Sequence, residues 1–309
     1  MTKTESNIVL FSITLCWASS YIFVKNIPSS VSTFAYLTMT SGIASIILVI
    51  IFFKKLREYN KQTLLHAFIL SLILCGNSVF EKLGLSTMSA SSASFTASLN
   101  VVFVLFIMCF LKKPVSIDNV AGIVLILSGV AVNSGIRFGK SLNTGFYIMI
   151  LATFCMSVYT VVTDNFAKRD DPLLLGMGQM FFTFAIAFVL WFIEEPKTFF
   201  SITYTNELLA NIFMLAFFSK AYAYIMLVYS QKYASPISVT VIAATEPVVT
   251  MVLSLLIPNA FGSTEVLSET KVAGGIFILF GSIFAETDFF TRIKLKYKKR
   301  IGGVGLSKR

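Results

Sequence analysis

Two residues carry charge where an apolar chain should have none: Lys220 and Glu246. Each lies mid-way along a long hydrophobic stretch, Lys220 nine residues before Tyr229 and Glu246 nine residues after Ile237. The two stretches meet in a short turn at Ser235-Pro236, so they run antiparallel. At 1.5 Å per residue both groups fall about 14 Å from that turn, the same depth. A lone charge at the centre of a bilayer costs about 2.5–3.5 kcal/mol. Two arrangements answer that cost. Lys220 and Glu246 form a permanent ion pair that fixes one helix on its neighbour, or they face a water-filled cavity and meet a substrate or a coupling proton. A free Glu246 is able to carry a proton, so that inward proton flow drives export; a permanently paired one is not. Pro247 follows directly. It cannot donate to the carbonyl of Ala243 and should kink the helix, as a hinge or as part of a site.

Weaker candidates share helical faces with these groups. Tyr224 lies one turn after Lys220, Tyr21 one turn after Trp17, and Glu81 one turn after Asn77. Tyr159 and Asn100 complete the set of expected substrate- or proton-binding residues. Aromatic rings with polar tips line cavities and stack on organic ligands, but they also pack helices and anchor interfaces. Glu81-Lys82 is expected near the outer boundary, as a solvated helix end or an extracellular gate.

The elements that position these residues are apolar blocks. Of 309 residues, 56% are hydrophobic and only 13% charged, too little charge for a soluble surface of this size. The mean hydropathy is +0.81, and the apolar residues come in runs of about 20, enough to cross ~30 Å of hydrocarbon. The spans read as roughly 8–24, 31–53, 64–83, 89–111, 117–134, 145–162, 173–192, 208–229, 237–257 and 272–285. The expected fold is an all-α membrane protein of ten transmembrane helices. With the N-terminus inside, cytoplasmic segments hold 18 Lys and Arg and outer segments six. Both termini are therefore expected in the cytoplasm of a multi-pass plasma-membrane protein, with a basic tail at 287–309 against the anionic leaflet. That tail accounts for much of the net charge of +10 without any nucleic acid. Cys16, Cys75, Cys109 and Cys155 all lie inside spans, as packing residues.

The chain also repeats itself. Val120-Ala121-Gly122 and Leu127-Ser128-Gly129 return as Val272-Ala273-Gly274 and Leu279-Phe280-Gly281, and residues 84–104 align with 230–250 at an offset of 146. Ser89 then matches Ser235, and Asn100-Val101 matches Glu246-Pro247. The division is 1–138 for a first five-helix repeat, 139–286 for a second and 287–309 for the tail. Five spans per copy force the second copy to insert inverted, an arrangement suited to alternating access. The glycine pairs, and Ala90, Ser94 and Ser98 on span four, read as close-packing faces.

Several motifs together resemble the drug/metabolite transporter superfamily, specifically its ten-helix EamA-type members. They are Trp17-Ala18-Ser19-Ser20-Tyr21 with Lys25, Val158-Tyr159-Thr160-Val161, Tyr224 to Lys232, Ala244-Thr245-Glu246-Pro247-Val248 and the paired glycines. The resemblance implies a ten-helix bundle with a central cavity that exports amino acids or other small metabolites. This chain departs from it at Thr38-Met39-Thr40, where an arginine is common, at Asn100-Val101, which lacks the proline, and at Lys220.

The rival classes fare worse. His66 is the only histidine, there is no Gly-rich phosphate loop and no soluble domain, so neither an enzyme nor an ATP-driven pump is expected, and no cofactor or metal. The expectation is a secondary transporter for a small-molecule substrate, with protons as candidate coupling ion, the bilayer as solvent and a homodimer as candidate assembly. The alternative is a passive channel or facilitator.

Overall fold

The computed structural model describes residues 2–134, 143–258 and 262–287. The expected tail, the loop around 139 and the basic residues Arg137 and Lys140 lie outside them. Every described element is helical. The chain runs through α1 (Lys3–Lys25), α2 (Thr33–Phe52), α3 (Lys61–Thr87), α4 (Ala90–Ala97), α5 (Asn100–Phe110), α6 (Ile117–Ser134) and α7 (Thr144–Ala167). It continues as α8 (Pro172–Glu194), α9 (Asn206–Met214), a π-helical stretch Leu215–Ala223, α10 (Tyr224–Gln231), α11 (Pro236–Ala243), α12 (Glu246–Leu256) and α13 (Glu269–Thr287).

Polar residues begin these helices by satisfying the first free amides. Thr2 and Glu5 form a reciprocal capping box on α1, and Ser32, Asn60, Ser89, Asn143, Asp171, Thr205 and Ser235 each accept from a first-turn N–H. Among the described residues, eight helical stretches are long and apolar enough to cross a membrane. The two stretches expected at 117–134 and 272–285 form α6 and α13, which are not among the eight.

α6 and α13 pack along each other's glycines. A Cβ on Gly129 would stand 2.5 Å from the Gly274 carbonyl oxygen, and one on Gly274 would stand 2.6 Å from that of Gly129. Gly281 meets the Gly122 oxygen at 2.6 Å in the same way. The two copies of the glycine motif are thus the two sides of one contact. Elsewhere α2 packs on α8, and α3 on α7.

Two of the eight stretches are broken in the middle. The expected proline kink in span nine is a break at Ala244-Thr245, with Pro247 in the first turn of α12, where its missing N–H costs little. Span four breaks at the aligned place, Ser98-Leu99, with no proline at all. At both places tight i→i+3 bonds replace the α-helical pattern: Leu99 to Thr96 at 3.1 Å and Thr245 to Ile242 at 3.1 Å. The breaks touch, since Ser98 Oγ donates to the carbonyl of Ala244 at 3.4 Å. Ser98 is therefore more than the packing residue its spacing suggests.

Candidate functional site

The breaks and the π-helical stretch surround one cavity. α1 contributes Trp17, Ser20 and Tyr21, α2 contributes Tyr36, α3 Asn77 and Glu81, and α7 Met149, Thr153 and Met156. Ser219 and Lys220 come from the π-helical stretch, where a widened turn offsets the backbone around Lys220. Tyr224 follows at the start of α10. Ala97, Ser98 and Asn100 come from one break, and Thr240, Ala243, Ala244 and Glu246 from the other. The space is small, about 60 Å³, against ~300–1,000 Å³ for typical ligand pockets. In this conformation the cavity has room for water rather than for a metabolite.

Lys220 and Glu246 both line this cavity, yet no ion pair joins them among the described residues. The ammonium of Lys220 donates to Ser78 Oγ at 3.0 Å and lies over the ring of Tyr224, 5.2 Å from its centre. Glu81 lines the same cavity. Among the described residues Glu246 accepts only from the hydroxyl of Tyr21, at 3.4 Å. The permanent Lys220–Glu246 bridge is thus replaced by two separately held charges on one cavity.

Glu81 was expected near the outer boundary, as a solvated helix end or an extracellular gate; α3 runs on to Thr87, and Glu81 is half-buried and faces the cavity. Lys82 is turned away from it, with Nζ 3.4 Å from the carbonyl of Val24 and 5.7 Å from the ring centre of Tyr36.

The other candidates divide. Trp17 and Tyr224 meet at 5.4 Å between ring centres, and Tyr21 joins them on the lining. Asn77 reaches the lining while its Nδ2 donates to the Ala152 carbonyl at 3.0 Å. Asn100 Oδ1 accepts from Ser157 Oγ at 2.7 Å. Tyr159 does not reach the cavity. It is fully buried behind Tyr224, edge-on at 5.8 Å, and donates to Gln179 Oε1 at 2.8 Å. Behind it Gln231 Nε2 donates to the Thr160 carbonyl at 3.0 Å. This polar layer and Ser78 carried no sequence signal, because isolated Ser and Gln in apolar runs look like any other tolerated polar residue. No group of three His, Cys, Asp or Glu stands ready for a metal among the described residues, and the cysteines there are free.

A bundle of apolar helices enclosing ionisable groups defines a multi-pass membrane protein with an interior polar site. The comparisons with known proteins make the class specific. The model of the EamA-like transporter family matches residues 5–135 and 143–287, and the chain belongs to that family. It is 26% identical over 202 residues to an uncharacterized transporter of Clostridium kluyveri, covering 63% of this chain and 62% of the relative. It is also 26% identical over 206 residues to an uncharacterized transporter of Archaeoglobus fulgidus, covering 66% of this chain and 70% of the relative. The matched part thus spans under two thirds of the Clostridium protein's length. A solved crystal structure superposes with a TM-score of 0.70 over 92% of this chain and 98% of its own, at 18% identity, which speaks to fold alone.

Proposed function

We propose that this protein is a secondary active transporter that exports a small organic metabolite, such as an amino acid, by alternating access. It uses ten spans, with α6 and α13 as the fifth and tenth, arranged as two inverted repeats over 1–138 and 139–286. Both termini are cytoplasmic in the plasma membrane, and protons are the coupling ion. The observation that carries the reading is the cavity: three ionisable side chains, Lys220, Glu81 and Glu246, face one contracted space beside two helix breaks. Groups so costly in a bilayer are kept where they contact a solute or an ion. Discontinuous helices at mid-depth are where transporters of this general architecture hold their cargo.

The inversion is supported by reciprocal contacts. Gly122 faces Gly281, the match of Gly129, while Gly129 faces Gly274, the match of Gly122, and Ser98 bonds to Ala244, its own partner at offset 146. Contacts that recur with the two copies exchanged are what a pseudo-twofold axis produces. A contracted cavity also suits alternating access better than a standing pore.

The test compares extracellular metabolites of cells carrying the wild type, the Lys220→Ala variant and no copy. A compound enriched outside by the wild type and not by the variant is the expected result and names the substrate. In proteoliposomes that compound should show saturable counterflow, which a passive channel lacks. Flux unaffected by a pH gradient would remove the proton coupling and leave the rest standing.

A further inference from the structure

The cavity's charges are not equivalent, and their difference names the substrate's charge. Two carboxylates, Glu81 and Glu246, and one ammonium, Lys220, line it, so with all three ionised the site carries a net charge of −1. Lys220 is already engaged by Ser78 and by the face of Tyr224. Glu246 is 7% exposed and has a single long hydrogen bond from Tyr21. No cation stands beside it among the described residues. The unanswered group is thus a carboxylate. Around it are aromatic rings, Trp17, Tyr21, Tyr36 and Tyr224, whose faces attract cations. An excess negative charge in a low-dielectric site with aromatic walls is completed by an organic cation.

From this geometry we infer that the transported solute is recognised through an ammonium group at Glu246, and that solutes of net charge +1 are preferred over zwitterions and anions of the same body. The inference rests on the transporter reading of this cavity and narrows it: an amine fits better than a neutral amino acid. The indole N–H of Trp17 is buried with no partner among the described residues. It offers one donor to a neutral oxygen on the solute without altering the charge balance.

The test uses three probes with one phenyl body, phenethylamine, phenylalanine and phenylacetate, on the purified full chain. Trp17 and Trp191 are its only tryptophans, so a Trp191→Phe protein reports from the cavity alone. Phenethylamine should quench or shift Trp17 fluorescence saturably, at concentrations about tenfold or more below those needed for phenylalanine. Phenylacetate should do nothing in that range. Adding Glu246→Gln should erase the preference for the amine, while Lys220→Met should keep it. Phenylacetate or phenylalanine binding as tightly as the amine overturns the inference, and so does the absence of saturable amine binding. The charge series needs no cavity variant, so a misfolded Glu246→Gln protein does not rescue it. Saturable amine binding without flux in proteoliposomes would instead count against the transporter reading alone.

Discussion

The two broken helices are built alike and furnished differently. Leu99 (φ −63°, ψ −12°) and Thr245 (φ −78°, ψ −9°) hold nearly the same backbone turn, 146 positions apart. After the first come Asn100 and Val101; after the second come Glu246 and Pro247. A break that forms without proline is not caused by proline. Small hydroxyl residues contribute at both places by bonding back to helix carbonyls, Thr96 to Ser92 at 3.0 Å and Thr245 to Ile242 at 2.8 Å. Backbone shape therefore belongs to the repeat, whereas charge belongs to one copy only.

The widest gap between the copies should appear when that charge is removed. Glu246→Gln is expected to lower transport of the identified metabolite by about a hundredfold or more, some 2.7 kcal/mol of barrier. Asn100→Ala, which loses one bond to Ser157, should cost only a few-fold by the same measure. Equal losses in proteoliposome flux would break the idea that the copies differ in chemistry. The α6–α13 crossing makes the opposite prediction, because there the copies play the same part. Gly129→Leu and Gly274→Leu both force a side chain into the facing carbonyl, so each should destabilise by about 1–3 kcal/mol, several degrees in melting temperature. Gly275→Ala, whose Cβ would find its nearest neighbour at 3.4 Å, is the control. One glycine tolerating leucine while the glycine facing it unfolds would break the equivalence.

Much of this arrangement is legible in the sequence, for reasons that mark its limits. Equal spacing from the Ser235-Pro236 turn predicts one depth for Lys220 and Glu246, and both reach one cavity. The glycine motif announced a close contact because nothing else fits such an approach, though not that its two copies face each other. That Glu81 lines the cavity was not legible, since an amphipathic end gives no sharp boundary and α3 outlasts the apolar run by one turn. The π-helical stretch around Lys220 and the proline-free break after Ser98 depend on tertiary packing, which leaves no local signature. Tyr159 shares a motif position with Tyr21, yet Tyr224 stands between it and the cavity.

If the break belongs to the repeat, giving span nine the residue of span four should change little. Pro247→Val copies Val101 into the second copy. It should leave the turn at Ala244-Thr245 in place and shift stability by about 1 kcal/mol or less. Hydrogen exchange at the Val248 amide, which bonds to Thr245 at 3.1 Å, is the readout. A continuous helix in the variant, with Val248 repaired to an i−4 partner, would return the break to proline.

The smallest effect concerns how the two copies hold the first turn after Ser89 and its match Ser235. Glu265, in the segment before α13, accepts from the backbone N–H of Ser91 at 3.3 Å, from the Ser91 hydroxyl and from Lys271 Nζ at 3.0 Å. The matching start of α11 lines a wider space of about 540 Å³ with Lys113 beside it, a residue that cannot accept from an N–H. Burial pushes the Glu265 carboxyl up, but Ser91 and Lys271 outweigh it and hold it below its ordinary value of 4.5. A carboxylate held down in the folded state stabilises fully above that ordinary value and stops doing so as the pH falls through the folded one. The melting temperature should therefore drop on acidification from pH 6 toward pH 3, and Glu265→Gln should remove part of that drop while costing about 2 °C at neutral pH. An acid profile identical in the variant would mean that Glu265 does not clasp α4, and that the two helix starts are held alike.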